Sequence, residues 1–384
     1  MISLTVKYFD LRRICNSGQI FRMYEREEGV FDVYSADRYL RLKQRGETVD
    51  FFCDREEFDG YWRRYFDLDR DYESLIRDAV GEDASGGLRQ AAGEAVSEGL
   101  RQPTGRAVSG SLKQAGGITG RDEYVASACS FGAGIRILHQ DIWEMLISFI
   151  ISQQKQIPSI RKCIEALCER FGERKAGGGA YPENEAQEHF WYAFPTPKAI
   201  AGGGPEGLKG LSLGYRERYI YETSVKYLTD GLDYETVENM GLDAAKAYFT
   251  SFCGVGEKVA NCICLFGAGY VDAFPIDTHI KDILYREYYL RDVAADDGKN
   301  PGESLKTGVK QKESRDCTEA AEEPTGKNAL PAGKDRRSDR DHSLGMSDYE
   351  KLVKLHFDRF SGYRGIVQQW IFAWELVRGD KTRP

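Results

Sequence analysis

The sequence predicts an α+β fold in which a small N-terminal antiparallel sheet domain is followed by an all-helical core. In the first 80 residues, short runs alternate apolar and polar residues near period two, with glycines beside them as turn signals. From residue 123 to 290 the apolar residues recur at helical spacing instead, and this pattern returns near the end of the chain. Strands first and helices afterwards are typical of α+β proteins.

The sheet domain is predicted to span residues 1–82. Its strand-like runs mix β-branched or aromatic residues with polar ones, at residues 31–34, 38–42 and 49–53. Gly29 and Gly46 lie beside these runs as turn residues, and helical patterns follow at residues 55–62 and 71–77.

Two segments are predicted to be flexible inserts, residues 83–122 and 291–345. The first contains an approximate 12-residue repeat beginning at Gly87, Gly99 and Ser111, rich in small residues and with one leucine per unit. Such units bury too little apolar surface to offset the entropy of ordering, although a short solenoid is an alternative. The second is dense in charge and dotted with glycine and proline.

The helical core is predicted over residues 123–290, with C-terminal helices over 346–384 completing it. Asp141 and Glu144 mark the start of a buried helix. Further helices are expected at residues 160–171 and 216–228, with a loop at 202–205 between them.

Composition limits the classes of protein that this chain can represent. With 41% hydrophobic and 12% aromatic residues, its 384 residues can form the cores of two domains. No apolar run approaches the roughly 20 residues of a membrane-spanning helix. The first residues lack the pattern of a signal peptide, so we expect an intracellular protein without membrane association.

The cysteines and the net charge bear on cofactors and partners. Most of the nine cysteines lie in apolar segments and form no pair of CxxC motifs, so we expect reduced thiols, no metal site and no cofactor. The net charge of −8 weakly disfavours nucleic-acid binding. Helix N-termini can nevertheless hold phosphate through backbone amides, whatever the net charge.

The segment from residue 242 to 284 carries the chemistry. A helix at residues 243–249 is followed by Gly254, Val255 and Gly256, and then by a second apolar helix from residue 259. Two glycines one residue apart allow a tight hairpin with exposed backbone amides, a phosphate-binding arrangement that also fits an ordinary helix–helix turn.

Lys258 and Asp277 are the candidate catalytic pair. Lys258 lies in the first turn of the second helix, where the positive end of the helix dipole favours the free, nucleophilic amine. Asp277 follows Pro275 and is placed to cap the next helix, from residue 278. Each also has a simpler interpretation, a lysine extending to solvent and a carboxylate that only caps a helix.

These segments together resemble the helix-hairpin-helix glycosylase superfamily, and in particular the eukaryotic type of 8-oxoguanine DNA glycosylase/lyase. The resemblance covers roughly three quarters of the chain. It rests on the hairpin with its lysine, on Pro-Ile-Asp-Thr-His, and on four further segments: residues 16–22, 149–154, 211–219 and 363–372.

The resemblance implies a role for each matching residue. Lys258 would attack the sugar and form a Schiff base, with Asp277 stabilising the positive charge that develops there. The expected base-recognition residues are Gly18, Cys262, Gln368 and Phe372. The expected DNA contacts are Gln154, Tyr215, Arg216, His279 and the hairpin residues Gly254, Val255 and Gly256. The expected partner is double-stranded DNA containing oxidised guanine, and we expect a monomer.

The chain departs from the family in the loop that faces the strand opposite the lesion. Gln153, Gln154 and Lys155 stand where the family has an asparagine run, and Ser159 stands where a second arginine is expected. We infer weak discrimination between bases opposite the lesion.

Two other functions remain as alternatives. An endonuclease III-like glycosylase for other oxidised bases shares the lysine and aspartate, but many such enzymes have a C-terminal four-cysteine cluster that this chain lacks. A non-catalytic helix-hairpin-helix DNA-binding module would need neither Lys258 nor Asp277.

Overall fold

A computed structural model of the chain describes residues 1–81, 122–176, 190–231, 234–296 and 344–381. The two predicted inserts lie largely outside these ranges and stay predictions. The chain divides into two compact units, residues 1–280 with 357–384 and residues 281–356.

The first unit begins with a five-stranded antiparallel sheet, which confirms the predicted sheet domain, in the strand order β1-β5-β4-β3-β2. Its strands are β1 (Ile2–Thr5), β2 (Met23–Glu27), β3 (Val30–Ser35), β4 (Arg38–Arg45) and β5 (Thr48–Phe51), with helix α1 (Leu11–Asn16) between β1 and β2. The sequence did not reveal β1 and β2. In β2 two apolar or aromatic residues precede three charged ones, so no alternation is visible.

A buried carboxylate fixes the register of three strands. Asp32 in β3 is fully buried and accepts hydrogen bonds from Arg26 at 2.7 Å, Arg41 at 2.7 and 3.0 Å, and Tyr39 at 2.8 Å. Burial would raise the pKa of Asp32, but the bonds from Arg41, Tyr39 and Arg26 lower it overall. The carboxylate is therefore held ionised inside the sheet.

Four short helical segments cover the sheet: α2 (Arg55–Glu57), a π-helical turn (Phe58–Trp62), α3 (Arg63–Tyr65) and α4 (Tyr72–Val80). Phe58 and Trp62 are fully buried, and the ring of Phe58 packs edge-on against Phe51 of β5 at 5.0 Å. This apolar core explains why the aromatic residues of the first 80 positions cluster as they do.

The helical part of the first unit follows the predicted order. Its helices are α5 (Glu123–Gly132), α6 (Ile142–Ser152), α7 (Ile157–Phe171), α8 (Pro197–Gly207), α9 (Arg216–Asp230), α10 (Tyr234–Asn239), α11 (Leu242–Thr250) and α12 (Glu257–Phe266). Asp141 caps α6 as predicted, since its carboxylate accepts the N–H of Glu144 at 2.8 Å. Helix α12 packs against both α6 and α11.

Two features of this region differ from the prediction. The loop expected at residues 202–205 is shorter than predicted, because Pro197–Gly207 consists of two helical pieces that meet at a kink at Gly204, with φ 63° and ψ −178°. A two-stranded hairpin, β6 (Arg174–Ala176) with β7 (Phe190–Tyr192), was also not predicted. Three-residue strands are too short for alternation to identify.

Helix α13 (Thr278–Ile283) begins in the first unit and ends in the second. The second unit continues with a π-helical segment (Leu284–Tyr289), α14 (Leu290–Asp296) and most of α15 (Met346–Phe357). The first unit then closes with a 3-10 turn (Asp358–Phe360) and α16 (Arg364–Lys381), which packs against α5. None of the helices that the structure describes is long and apolar enough to cross a membrane.

Candidate active site

The hairpin between α11 and α12 exposes backbone amides. Gly254 has φ +78°, and a Cβ there would overlap the ring of Tyr219, so the turn requires glycine at this position. Gly256 is extended and caps α12 without any side-chain hydrogen bond, while Val255 between them is buried. The first N–H groups of α12 therefore have no side-chain cap among the described residues, and phosphate binding by them stays a prediction.

Lys258 is the second residue of α12 and is half-buried. Its amine lies 5.4 Å from the centre of the Phe149 ring, and it forms no ion pair with any residue that the structure describes. One turn further, Cys262 is buried on the same side of the helix.

The pKa of the Cys262 thiol is shifted by burial and by two charged groups. Burial raises its pKa, the Lys258 amine lowers it through charge and hydrogen bonding, and the Asp277 carboxylate raises it. Both charges therefore shift the pKa of the same buried thiol. A hydrogen bond also joins the two parts of the chain that carry these groups, because Phe274, three residues before Asp277, donates its N–H to Asn261 of α12 at 3.2 Å.

Asp277 has the predicted capping role. Its Oδ1 accepts the N–H of Ile280 at 2.8 Å at the start of α13. Within the described residues this cap is the one hydrogen bond of the carboxylate, so Oδ2 remains for another partner. Helix capping thus holds the carboxylate in place through Oδ1 and leaves Oδ2 available.

Two of the four predicted base-recognition residues, Gly18 and Phe372, lie against each other. Gly18 has φ +83°, and a Cβ on it would lie 3.0 Å from Cε1 of Phe372. His279, predicted to hold phosphate, is exposed and lies edge-on to the same ring, 6.1 Å between centroids. Gln368 precedes Phe372 by one helical turn on α16.

Gln368 has an unused acceptor. The side chain is buried, and its Oε1 atom has no hydrogen-bond partner among the residues that the structure describes. A buried polar atom without a partner costs free energy unless a ligand or water satisfies it. Burial also excludes the alternative in which Gln368 belongs to a solvated face.

The predicted duplex-facing residues lie on two loops that bond to each other and to the hairpin. Gln154 is exposed with φ +52°, and Tyr215 is 49% exposed. Arg216 is buried; its guanidinium donates to the backbone oxygen of Leu213 at 3.0 Å and to that of Gln153. The side chain of Gln153 in turn donates to the backbone oxygen of Gly254 at 2.8 Å.

Two parts of the chain match known protein families. Residues 1–101 match the family described as the N-terminal domain of 8-oxoguanine DNA glycosylase. Residues 147–300 match the HhH-GPD superfamily of base excision DNA repair proteins. The second match spans the hairpin, Lys258 and Asp277.

Curated relatives match the chain over part of their length. An N-glycosylase/DNA lyase of Saccharomyces cerevisiae is 34% identical over 170 residues, which cover 41% of this chain and 43% of the relative. A probable N-glycosylase/DNA lyase of Methanothermobacter thermautotrophicus is 27% identical over 183 residues, covering 42% and 55%. The chain therefore aligns with only about half the length of these relatives.

Solved structures have the same fold as this chain. The 8-oxoguanine glycosylase/lyase of Clostridium acetobutylicum, in complex with double-stranded DNA containing cytosine opposite 8-oxoguanine, superposes with a TM-score of 0.64 at 24% identity. The superposition covers 97% of this chain and 94% of that one. The α+β architecture predicted from the sequence is thereby confirmed.

Proposed function

We propose that the chain is a bifunctional DNA glycosylase and lyase of base excision repair that removes 8-oxoguanine from duplex DNA. One observation chiefly supports the proposal: Lys258 lies in the first turn of a helix that follows a hairpin without a side-chain cap, and the segment that carries Asp277 is hydrogen-bonded to that same helix. A DNA-binding module needs the hairpin alone, whereas base excision needs a nucleophile and a stabilising carboxylate.

In the proposed reaction the free amine of Lys258 attacks C1′ of the damaged nucleotide. The C1′–N9 bond breaks, the base leaves with that electron pair and takes up a proton, and the attacking nitrogen loses one. The C1′–O4′ bond then opens to give a Schiff base. Loss of a C2′ proton expels the 3′ phosphate by β-elimination, which cuts the strand.

Asp277 is proposed to stabilise the positive charge that develops on the sugar. A carboxylate held by the helix cap needs no reorganisation during the reaction, which is the condition under which fixed charges lower a barrier most. We also assign to Asp277 the orientation of the Lys258 amine.

Base recognition is assigned to Gly18, Cys262, Gln368 and Phe372. The flipped base would lie between Cys262 and Phe372, where the unpartnered Oε1 of Gln368 can accept from its Watson–Crick edge. The carbonyl of Gly18 would accept the N7–H that 8-oxoguanine has and guanine lacks. One such hydrogen bond discriminates by about 1–3 kcal/mol.

The remaining assignments concern DNA. His279 and the Gly254–Gly256 hairpin would hold phosphates, Gln154 would fill the gap left by the flipped base, and Tyr215 would insert beside it. Arg216 would face the orphaned cytosine. We propose that the enzyme acts as a monomer on genomic DNA inside the cell, in the nucleoid of a bacterium or the nucleus of a eukaryote.

Strand cleavage across a panel of lesions tests the proposed function. Duplexes carrying 8-oxoguanine, an oxidised pyrimidine, an alkylated purine or no lesion are incubated with the wild-type chain and with Lys258→Gln. We expect cleavage at 8-oxoguanine that Lys258→Gln abolishes. Preference for the oxidised pyrimidine would instead support the endonuclease III-like alternative, and binding without cleavage of any duplex would support the DNA-binding module.

A further inference from the structure

The segment from Val271 to Asp277 carries the candidate catalytic carboxylate but has no regular secondary structure. Its backbone groups must therefore be satisfied by contacts with neighbouring elements. On the side of α16, the oxygen of Val271 accepts the N–H of Gly365 at 2.7 Å, and the carboxylate of Asp272 accepts the N–H of Gly362 at 2.7 Å.

On the side of α12, the contact is made by one side chain, that of Asn261. Its Oδ1 accepts the backbone N–H of Phe274 at 3.2 Å. Its Nδ2 donates to the backbone oxygen of Glu257 at 2.9 Å and lies 3.3 Å from the carboxylate of Glu257. The side chain is 7% exposed, so both its donor and its acceptor groups are used inside the protein.

The hydrogen bond between Asn261 and Phe274 lies close in sequence to both candidate catalytic residues. Asn261 lies three residues after Lys258 and directly before Cys262 on α12, while Phe274 lies three residues before Asp277. Within the described residues, the segment makes no further backbone hydrogen bond between Phe274 and the Asp277 cap. Asn261 is thus the last fixed point joining the helix of the lysine to the segment of the aspartate.

We propose that Asn261 is a positioning residue that sets the placement of Asp277 relative to Lys258. The inference rests on the proposed function, because it concerns the geometry of that catalytic pair. It does not place Asn261 in contact with DNA. Loss of its acceptor would release the Phe274 N–H and let the Asp277 segment shift. A displacement on the order of 1 Å between reacting groups can slow a reaction about a hundredfold.

Two substitutions separate this role from simple packing. Asn261→Leu removes the acceptor and keeps a similar volume, whereas Asn261→Asp keeps an oxygen that can accept from Phe274. The matched control is Asn239→Leu. Asn239 makes the same type of bond to the backbone four residues earlier, Glu235 O at 2.9 Å, but it is exposed and its side chain has no other hydrogen bond within the described part of the chain.

The measurements are the single-turnover excision rate on an 8-oxoguanine duplex and the Kd for a duplex carrying a tetrahydrofuran abasic analogue. We expect Asn261→Leu to lower the rate at least about tenfold while the Kd changes less than about threefold. Asn261→Asp should restore most of the rate, and Asn239→Leu should match the wild type. Equal rates for Asn261→Leu and wild type, or equal losses in both Asn261 variants, would overturn the proposal.

A backbone ester at Phe274, made by incorporating phenyllactic acid, tests the same bond from its other end. It removes the N–H and leaves both side chains intact, so it decides the matter if Asn261→Leu does not fold. We expect a slower excision rate at unchanged Kd, and a wild-type rate would overturn the proposal. Failure of the wild-type chain itself to excise 8-oxoguanine would instead contradict the proposed function.

Discussion

At Gly18 both the backbone conformation and the space around the residue disfavour a side chain. Its φ of +83° is unfavourable for other residues, and an added Cβ would lie 3.0 Å from the Phe372 ring. Both effects act at the position proposed to read the N7–H of the lesion.

We predict that Gly18→Ala lowers stability by about 1–3 kcal/mol, through backbone strain. It should also weaken excision of 8-oxoguanine, because Phe372 must move. Thermal unfolding and the single-turnover rate check the two parts. The matched control is Gly46→Ala, which also has positive φ, at +60°, but has no atoms within 4 Å of the added Cβ. Equal effects of the two substitutions on excision would contradict the pocket assignment.

A substitution at Asp277 can separate the effect of the side chain's shape from the effect of its charge. Asp277→Asn keeps an oxygen that can cap α13, but removes the negative charge proposed to stabilise the sugar. We predict that affinity for an 8-oxoguanine duplex is kept while base release slows about a hundredfold or more. Filter binding and chromatographic detection of the free base measure the two quantities. Near-normal turnover would remove Asp277 from the mechanism.

At this scale the sequence predicts single residues better than their contacts. Asp141 and Asp277 are recognisable as caps because a cap is defined by its near neighbours in the chain. The bonds of Asn261 to Phe274 and of Gln153 to Gly254 join residues 13 and 101 positions apart. No local pattern predicts such pairs, so these two residues were not singled out for the roles that the structure suggests.

Among the elements, the loops after α6 and before α9 are bonded as a pair. Arg216 donates to Gln153 and Leu213 oxygens, and Lys155 donates to the oxygen of Ser212 at 2.9 Å. In the free protein the guanidinium of Arg216 therefore joins the two loops through its hydrogen bonds to their backbone oxygens. Ser159, where the family has a second arginine, is exposed and carries no charge.

We predict that excision of 8-oxoguanine depends little on the opposite base. Reading a cytosine strongly requires donors committed to it, and here one arginine is bonded to the backbone while the other is absent. Single-turnover rates on duplexes pairing the lesion with each of the four bases should agree within about tenfold. A preference for cytosine of about a hundredfold or more would contradict the prediction.

The elements also show where sequence patterns stop being informative. Long helices were predicted, since α7 and α9 each bury a stripe that repeats over several turns, and α6 is a continuous apolar run that is buried on all sides. The small β6–β7 hairpin and the course of α8 through Gly204 depend on packing, which propensity alone does not determine.

For the whole molecule, Glu144 connects the sheet to the helical part. The side chain, on α6, is buried, and its Oε2 accepts the N–H of Ala36, in the turn after β3, at 2.7 Å. Burial raises the pKa of Glu144 to about 7, although Arg22 and the Ala36 bond act in the opposite direction.

This shift predicts how stability depends on pH. Between the ordinary glutamate pKa and about 7 the folded protein keeps a proton that the unfolded chain has lost. The contribution of Glu144 to stability therefore falls as pH rises through that window, by up to about 3 kcal/mol, and is constant above it. Glu144→Gln keeps an acceptor for Ala36 and should lack this dependence. Urea unfolding from pH 5 to 8 tests the difference; parallel curves for the two proteins would contradict it.

The central claim is that Lys258 forms a Schiff base with the sugar of the damaged nucleotide, and borohydride trapping tests it most directly. The chain is incubated with an 8-oxoguanine duplex and sodium borohydride, and the adduct is located by peptide mass spectrometry. We predict a covalent protein–DNA complex at Lys258 that is absent from Lys258→Gln. No adduct, or an adduct at another residue, would contradict the claim.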